Sequence, residues 1–563
     1  PRFVRAGCRR KVMKLFLRSL LPIWMILFLI TAALAGPRAE IRGAEGNPAL
    51  LIDGRPYPPV AYMSYLGETR FYREAAEAGI HLYCFPAYLG NRGINTSSGI
   101  GPFRPALWNG PEEFDFSSLE QDFSKILAAD PEALVIIRIH LDVPEWWEAR
   151  HPEECALLPG GKTARQSFSS RLWREDAGNA LRTCIRWLLD SPFSRHLIGI
   201  HVAAGFTEEW FYHFTGSYHD LSPVRIEAFR EWLRHKYHDR PGDLRQAWGR
   251  DKATFETALP ADISGELRRR EWRDPALEQD FLDTFSFHAE TMADDIRHFC
   301  RIVKEASGRR LLTGAFYGYH FYVTDPRRGH GALETLLECP DLDYLSSPNV
   351  YDRIMGEDWP PMAAVQSIQL HGKLWMAEND TRTSLTTLLK DRRPAICPPG
   401  QYESGVWLGP RDIRTSVALL EKDLGRMLCY GYGGWWFDMW GGWFSDPALQ
   451  EVLRKSVALT ARYCGQEMNL PSPQVCVITD EKLLFRDASF GGLVGDIYSN
   501  RSSLGRSGSP YALYLRCDSG RLPEGRPYRA IWLLGISELT PEETERLENW
   551  LSSGISVIWT GLD

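Results

Sequence analysis

No Cys-x-x-Cys pair occurs in the 563 residues, and no cysteines and histidines stand together at the spacing of a zinc site. A structural metal is therefore not expected. The eleven cysteines are scattered along the chain. Their odd number and the strand-like settings of Cys84 and Cys476 read as mostly buried free thiols. No extended basic run interrupts the body of the chain, whose net charge is −7, and this argues against a nucleic-acid partner. No glycine-rich loop leaves a strand to open a helix, so nucleotide binding is not indicated and no cofactor is expected. There is no low-complexity tract.

What is present describes a globular chain. Hydrophobic residues make up 44% and charged residues 24%, and the length calls for two or three domains. Twenty Trp and 22 Tyr suit carbohydrate binding, though also ordinary core packing. At the N-terminus, basic Lys11 to Arg18 precedes the apolar run from Leu20 to Ala35, which ends in Ala33-Leu34-Ala35 before Gly36. The run is short for a membrane span, and its end has the small-x-small form of a cleavage site. Residues 1–35 are read as a signal peptide. The expectation is a secreted or periplasmic protein with no stable membrane insertion after cleavage.

Strands and helices then alternate. Candidate strands one to eight are Pro59–Tyr62, Ile80–Phe85, Ala133–Ile139, Leu197–Ala204, Leu311–Tyr317, Leu342–Ser346, Lys373–Ala377 and Gly433–Phe437. The fourth is apolar without alternation, as in a parallel strand covered on both faces. Helix signals lie between them: Thr69 to Ala78 stopped by Gly79, a capping box at Ser117-x-x-Glu120, and Ser222-Pro223 opening a helix to Tyr237. Residues 49–465 are therefore read as a (β/α)8 TIM barrel. Residues 36–48 read as a polar leader. Past Pro471 the expected strands are Gln474–Thr479, Tyr528–Leu534 and Ile555–Thr560, with a helix capped by Thr540-Pro541-x-Glu543 and an irregular Gly/Ser-rich stretch over 490–510. Residues 472–563 are read as a smaller doubly wound, flavodoxin-like α/β domain, expected to continue past the sequence given.

Barrel chemistry sits at strand C-termini. Strand four opens at Gly205 into Thr207, Glu208 and Glu209, followed by Trp210, Phe211 and Tyr212. Strand seven ends in Glu378, with Asp380 and Arg382 beside it. One carboxyl in an aromatic setting and one beside an arginine can hold different pKa values, as a proton donor and a nucleophile must. That division of labour is what retaining glycoside hydrolysis requires. Glu209 and Glu378 are the catalytic candidates, with Glu209 preferred over Glu208 because it directly precedes Trp210. The substrate-binding candidates are Glu208, Arg138, Tyr317, Asn349, Tyr351, Asp380, Arg382, Asp438, Trp440 and Trp443, all near strand ends. In the run from Trp435 to Trp443, Trp440 and Trp443 are expected to form a sugar-stacking wall, and Trp435 and Trp436 to pack in the core.

These residues resemble the acid/base and nucleophile of clan A glycoside hydrolases. The stretches Ala228 to Tyr237 and Leu244 to Gly249 are similar to the barrel of family 42 β-galactosidases, and so is the order of barrel and doubly wound domain. The resemblance implies a retaining β-galactosidase acting on a carbohydrate, with the second domain serving trimerisation in a homotrimer. Members of the clan usually have Asn directly before the acid/base glutamate, where this chain has Glu208, and the four-cysteine zinc site of the family is not evident. The alternatives are a clan A glycosidase of another sugar (mannoside, glucoside or uronide) and a non-catalytic glycan-binding barrel.

Overall fold

The computed structural model describes residues 36–561 apart from 45–46, 93–99, 101, 159, 214–219, 264–270, 352, 354, 465–472 and 524–527. The apolar N-terminal run lies outside the described residues. Among those described, no helix is long and apolar enough to cross a membrane.

Eight parallel strands close into a barrel: β1 (Val60–Met63), β2 (Leu82–Tyr88), β3 (Leu134–His140), β4 (Leu197–Ala203), β5 (Leu312–Phe316), β6 (Tyr344–Pro348), β7 (Leu374–Asn379) and β8 (Gly433–Phe437). Each neighbours the next, and β8 pairs back onto β1. A helix follows every strand: α1 (Thr69–Glu77), α2 (Ser117–Ala129), α3 (Arg171–Asp190), α4 (Pro275–Ala306), α5 (Leu333–Leu337), α6 (Val365–Leu370), α7 (Ile413–Tyr430) and α8 (Pro447–Tyr463). All residues of β2, β4 and β5 are buried, as helices outside and side chains inside require. The excursion between β4 and α4 carries two further helices, Pro223–Lys236 and Pro241–Trp248, around a small apolar cluster of Phe229, Leu233, Leu244 and Trp248.

Several local expectations are corrected. Residues 36–48 hold a strand, Ala39–Ala44, antiparallel to Asn47–Ile52. The latter turns back through Asp53 and Gly54, both at positive φ, as a two-residue hairpin turn requires. The capping box at Ser117 does not form; the Asp115 carboxylate accepts from the Ser117 N–H instead, at 2.9 Å. The box at Thr540 does form.

The second sheet has four parallel strands, β9 (Val475–Thr479), β10 (Tyr511–Leu515), β11 (Ala530–Leu534) and β12 (Ser556–Thr560), in the order β10-β9-β11-β12. The supposedly irregular 490–510 is mostly helix α9 (Gly492–Arg506), and β10 follows it. Beneath the Gly/Ser composition, Val494, Tyr498 and Arg501 recur at helical spacing and are buried. Helix α10 (Pro541–Ser552) completes the domain. Barrel and sheet are joined by buried contacts. Arg501 donates to Pro361 O at 2.8 Å, the Leu515 N–H donates to Ser367 Oγ at 2.8 Å, and the Glu481 carboxylate accepts from Leu333 N and Glu334 N at the start of α5.

Candidate active site

Inside the barrel, alternation along each strand decides which side chains meet. Arg138 on β3, His201 on β4, Phe316 on β5, Glu378 on β7 and Trp435 on β8 all point inward. Arg138 is almost sealed, at 1% exposure, and its guanidinium lies 4.5 Å from the Phe316 ring centre and 5.4 Å from that of Trp435. Its Nη2 donates to Glu378 Oε2 at 2.9 Å and its Nη1 to Glu208 Oε2 at 3.3 Å. Trp435 lies opposite Glu378 in the ladder, and its Nε1 donates to the same Glu378 oxygen at 3.0 Å. Burial pushes the Glu378 carboxyl up; Arg138 and Trp435 offset part of this and Asp380 adds to it, so the group stays above its ordinary value.

The turn after β4 is strained. Thr207, Glu208 and Trp210 have φ of 58°, 69° and 57°, a region that side-chain-bearing residues seldom occupy. Gly205 opens the turn at φ 75°, where a Cβ would stand 2.3 Å from Phe211 O. Surrounding groups hold this conformation. The Gly205 N–H donates to Asp142 Oδ1 at 3.0 Å, and Asp142 also accepts from Arg165 and Gln166 and pairs with His213 at 2.8 Å. His330 receives the Tyr319 N–H on Nδ1 at 3.3 Å, which leaves Nε2 to donate to Glu209 O at 2.9 Å.

The result separates the two neighbouring glutamates. Glu208 is fully enclosed, accepting from Tyr65 OH at 3.1 Å as well as from Arg138. Glu209 is half-buried. Its Oε1 accepts from Tyr319 OH at 3.0 Å and its Oε2 lies in hydrogen-bond contact with Thr207. Burial first, then the nearby Glu378 charge, pushes the Glu209 carboxyl up to about 8. The chain thus holds, at the ends of β4 and β7, one carboxyl that keeps its proton at neutral pH and another braced by a guanidinium.

The other expected site residues divide. Tyr351 is half-buried under the Arg353 guanidinium, and its hydroxyl feels both Asp380 and Glu209. Glu208, expected to touch substrate, is sealed beneath the mouth. Tyr317 is one residue past inward-facing Phe316, so it points outward, and its hydroxyl donates to Gly329 O at 2.7 Å. Tyr319, two residues on, is the tyrosine that reaches Glu209. Asp438 is occupied in its loop, accepting from Tyr62 OH at 2.6 Å and from Gly442 N and Trp443 N. Asp380 is clamped between Arg353 and Arg382, and Arg382 lies over Trp407 and Trp443. Asn349 is buried and donates towards Asn379 and Asp423. Trp440 and Trp443, at 3% and 0% exposure, form no open wall. Trp436 packs outward, donating to Ser456 on α8, whereas Trp435 reaches Glu378. Strand parity carried the signal for Trp435, Tyr317 and Tyr319; nothing local in the sequence marks Tyr65 or His330. Among the described residues, no cluster of His, Cys, Asp and Glu could hold a metal ion.

No protein-family model and no curated sequence matches the chain. Solved structures do. A β-galactosidase from the psychrophilic Marinomonas ef1 superposes with a TM-score of 0.58 at 16% identity, over 89% of this chain and 75% of that one. The chain has the fold of these β-galactosidases. A catalytic mutant of a GH42 β-galactosidase from G. stearothermophilus gives a TM-score of 0.58 at 12% identity, over 89% of this chain and 71% of that one. An exo-carrageenase of GH42 from Bacteroides ovatus gives 0.53 at 12% identity, over 96% of this chain and 74% of that one. The match runs through both barrel and second sheet.

Proposed function

We propose that this chain is a retaining β-glycosidase, acting in the first place on β-galactosides, with Glu209 as general acid/base and Glu378 as nucleophile. The observation that carries the reading is the contrast between the two carboxyls: Glu209 pushed up to about 8, Glu378 braced by Arg138 and Trp435. The proton count around Glu209 agrees. The single Thr207 hydroxyl proton has two acceptors in reach, Phe206 O and Glu209 Oε2. A proton on Glu209 satisfies the second contact and frees the hydroxyl for Phe206 O.

Glu209 gives its proton to the leaving oxygen while ionised Glu378 attacks the anomeric carbon, forming a glycosyl ester as the glycosidic bond breaks. Glu209, now charged, takes a proton from water. The water oxygen attacks the same carbon and Glu378 departs as carboxylate, received again by Arg138 and Trp435. Such a mechanism needs the two carboxyl groups about 5–5.5 Å apart. A panel of nitrophenyl β-glycosides tests the reading: turnover of the galactoside supports it, and no turnover of any member contradicts it.

A glycosidase for an anionic sugar is the second reading, favoured by Arg328. This half-buried guanidinium lies 5.4 Å and 5.5 Å from the ring centres of Phe206 and Phe211, which bracket the Glu209 turn. Neighbouring Arg327 takes Asp325, and no ion pair to Arg328 occurs among the described residues. A β-glucuronide turned over faster than the galactoside, with the preference lost in Arg328→Ala, would select this reading. Export through the N-terminal leader and assembly as a homotrimer complete the proposal.

A further inference from the structure

Two carboxyls, those of Glu378 and Glu208, share the Arg138 guanidinium at the base of the mouth. One guanidinium edge serves Glu378 at 2.9 Å and the other serves Glu208 at 3.3 Å. Glu208 does not reach substrate, being 0% exposed. Its surroundings are Arg138, the hydroxyls of Tyr65 and Tyr88, and the Cys84 thiol. Around Glu378 stand Arg138, Trp435 and Asp380, with Glu209, Tyr65, Tyr319 and Cys84 within electrostatic reach. His201 lies below and stays neutral, its pKa lowered by burial and then by Arg138.

We infer that Glu208 is a positioning residue that sets the ionisation of Glu378 by taking half of the Arg138 charge. Alone with Arg138, Glu378 would be a tightly held carboxylate, easily ionised and weakly nucleophilic. With Glu208 on the opposite edge, the guanidinium is neutralised by one carboxylate, and Glu378 acts as the second negative charge on a single cation. Glu208 and Tyr65 also fix the Nη1 edge, which aims Nη2 at Glu378. The strained φ of Glu208 turns its side chain beneath the mouth while Glu209 faces into it. The inference rests on the retaining reading.

The test is the pH profile of kcat/KM for wild type, Glu208→Gln and Glu208→Asp on the best substrate of the panel. Removing the Glu208 negative charge, a like charge sharing the same cation, should leave Arg138 to Glu378 alone and move the acid limb, which reports Glu378, down by about one pH unit. The alkaline limb, which reports Glu209, should move far less. Glu208→Asp keeps the charge and should keep the acid limb. An unmoved acid limb in Glu208→Gln overturns the inference and leaves Glu208 a structural residue. Should Glu208→Gln be too slow for steady-state work, the pH dependence of Glu378 labelling by a 2-fluoro glycosyl fluoride, read by mass spectrometry, gives the same limb. Failure of that reagent to label Glu378 in wild type counts against the retaining reading itself.

Discussion

Glu209 and Glu208 are adjacent in sequence and of one type, yet the fold gives them opposite environments. A proton donor matters most when the leaving group is poor. Glu209→Ala should slow alkyl or sugar glycosides by about 100-fold or more, while activated nitrophenyl glycosides lose far less. Wild-type activity should fall as the pH rises through about 8, where Glu209 loses its proton. Equal losses on both substrate types would remove Glu209 as the acid. Trp435 makes a separable contribution, one hydrogen bond to Glu378, the proposed nucleophile. Trp435→Phe should cut kcat/KM by about tenfold, the effect of losing a hydrogen bond to a charged group worth about 1.5 kcal/mol. An unchanged rate would mean that the indole only fills space. The strand-end glutamates were legible from residue type and position. The inward turn of Trp435 and the outward turn of Tyr317 were not read, because alternation along a strand, even one bounded correctly as β8 was, does not by itself say which of its two faces turns inward.

At the scale of elements, the turn after β4 is held by an element that precedes it. Asp142, just past β3, accepts the Gly205 N–H and is ringed by Arg165, Gln166 and His213. Burial alone would raise its carboxyl; His140, His213 and Arg165 outweigh burial and hold it well below the usual carboxylate range. A depressed folded pKa contributes stability above the unfolded pKa of about 4 and loses it as the pH falls through the folded value. Asp142→Asn should therefore destabilise the protein by about 3–5 kcal/mol at pH 7, as breaking a buried pair does, and the gap to wild type should narrow below about pH 4. Urea unfolding at pH 7 and pH 3 measures both; a gap of equal size at the two pH values would contradict this role. The strand and helix order was readable because each barrel unit repeats an apolar run and a capped helix. Helix α9 was missed because glycine and serine, poor helix formers, mask the spacing of Val494, Tyr498 and Arg501.

The whole molecule joins a closed barrel to a four-stranded parallel sheet whose last strand, β12, is at an edge. Leu551 on α10 and Ile558 and Trp559 on β12 are about half exposed, at 53%, 50% and 49%. If the second domain serves assembly, light scattering should give a trimer at micromolar concentration; a monomer there would remove the oligomer from the proposal. The barrel was legible at this scale and the sugar was not, because sugar choice depends on side chains gathered from many strand ends, several of which, such as Asp438 and Trp443, the fold uses for its own support. The central claim is that Glu209 and Glu378 act as a retaining pair, and the most direct measurement is proton NMR of the first-formed product from a β-glycoside. The account predicts the β-anomer first, with the α-anomer growing in only by mutarotation. Initial release of the α-anomer would contradict it.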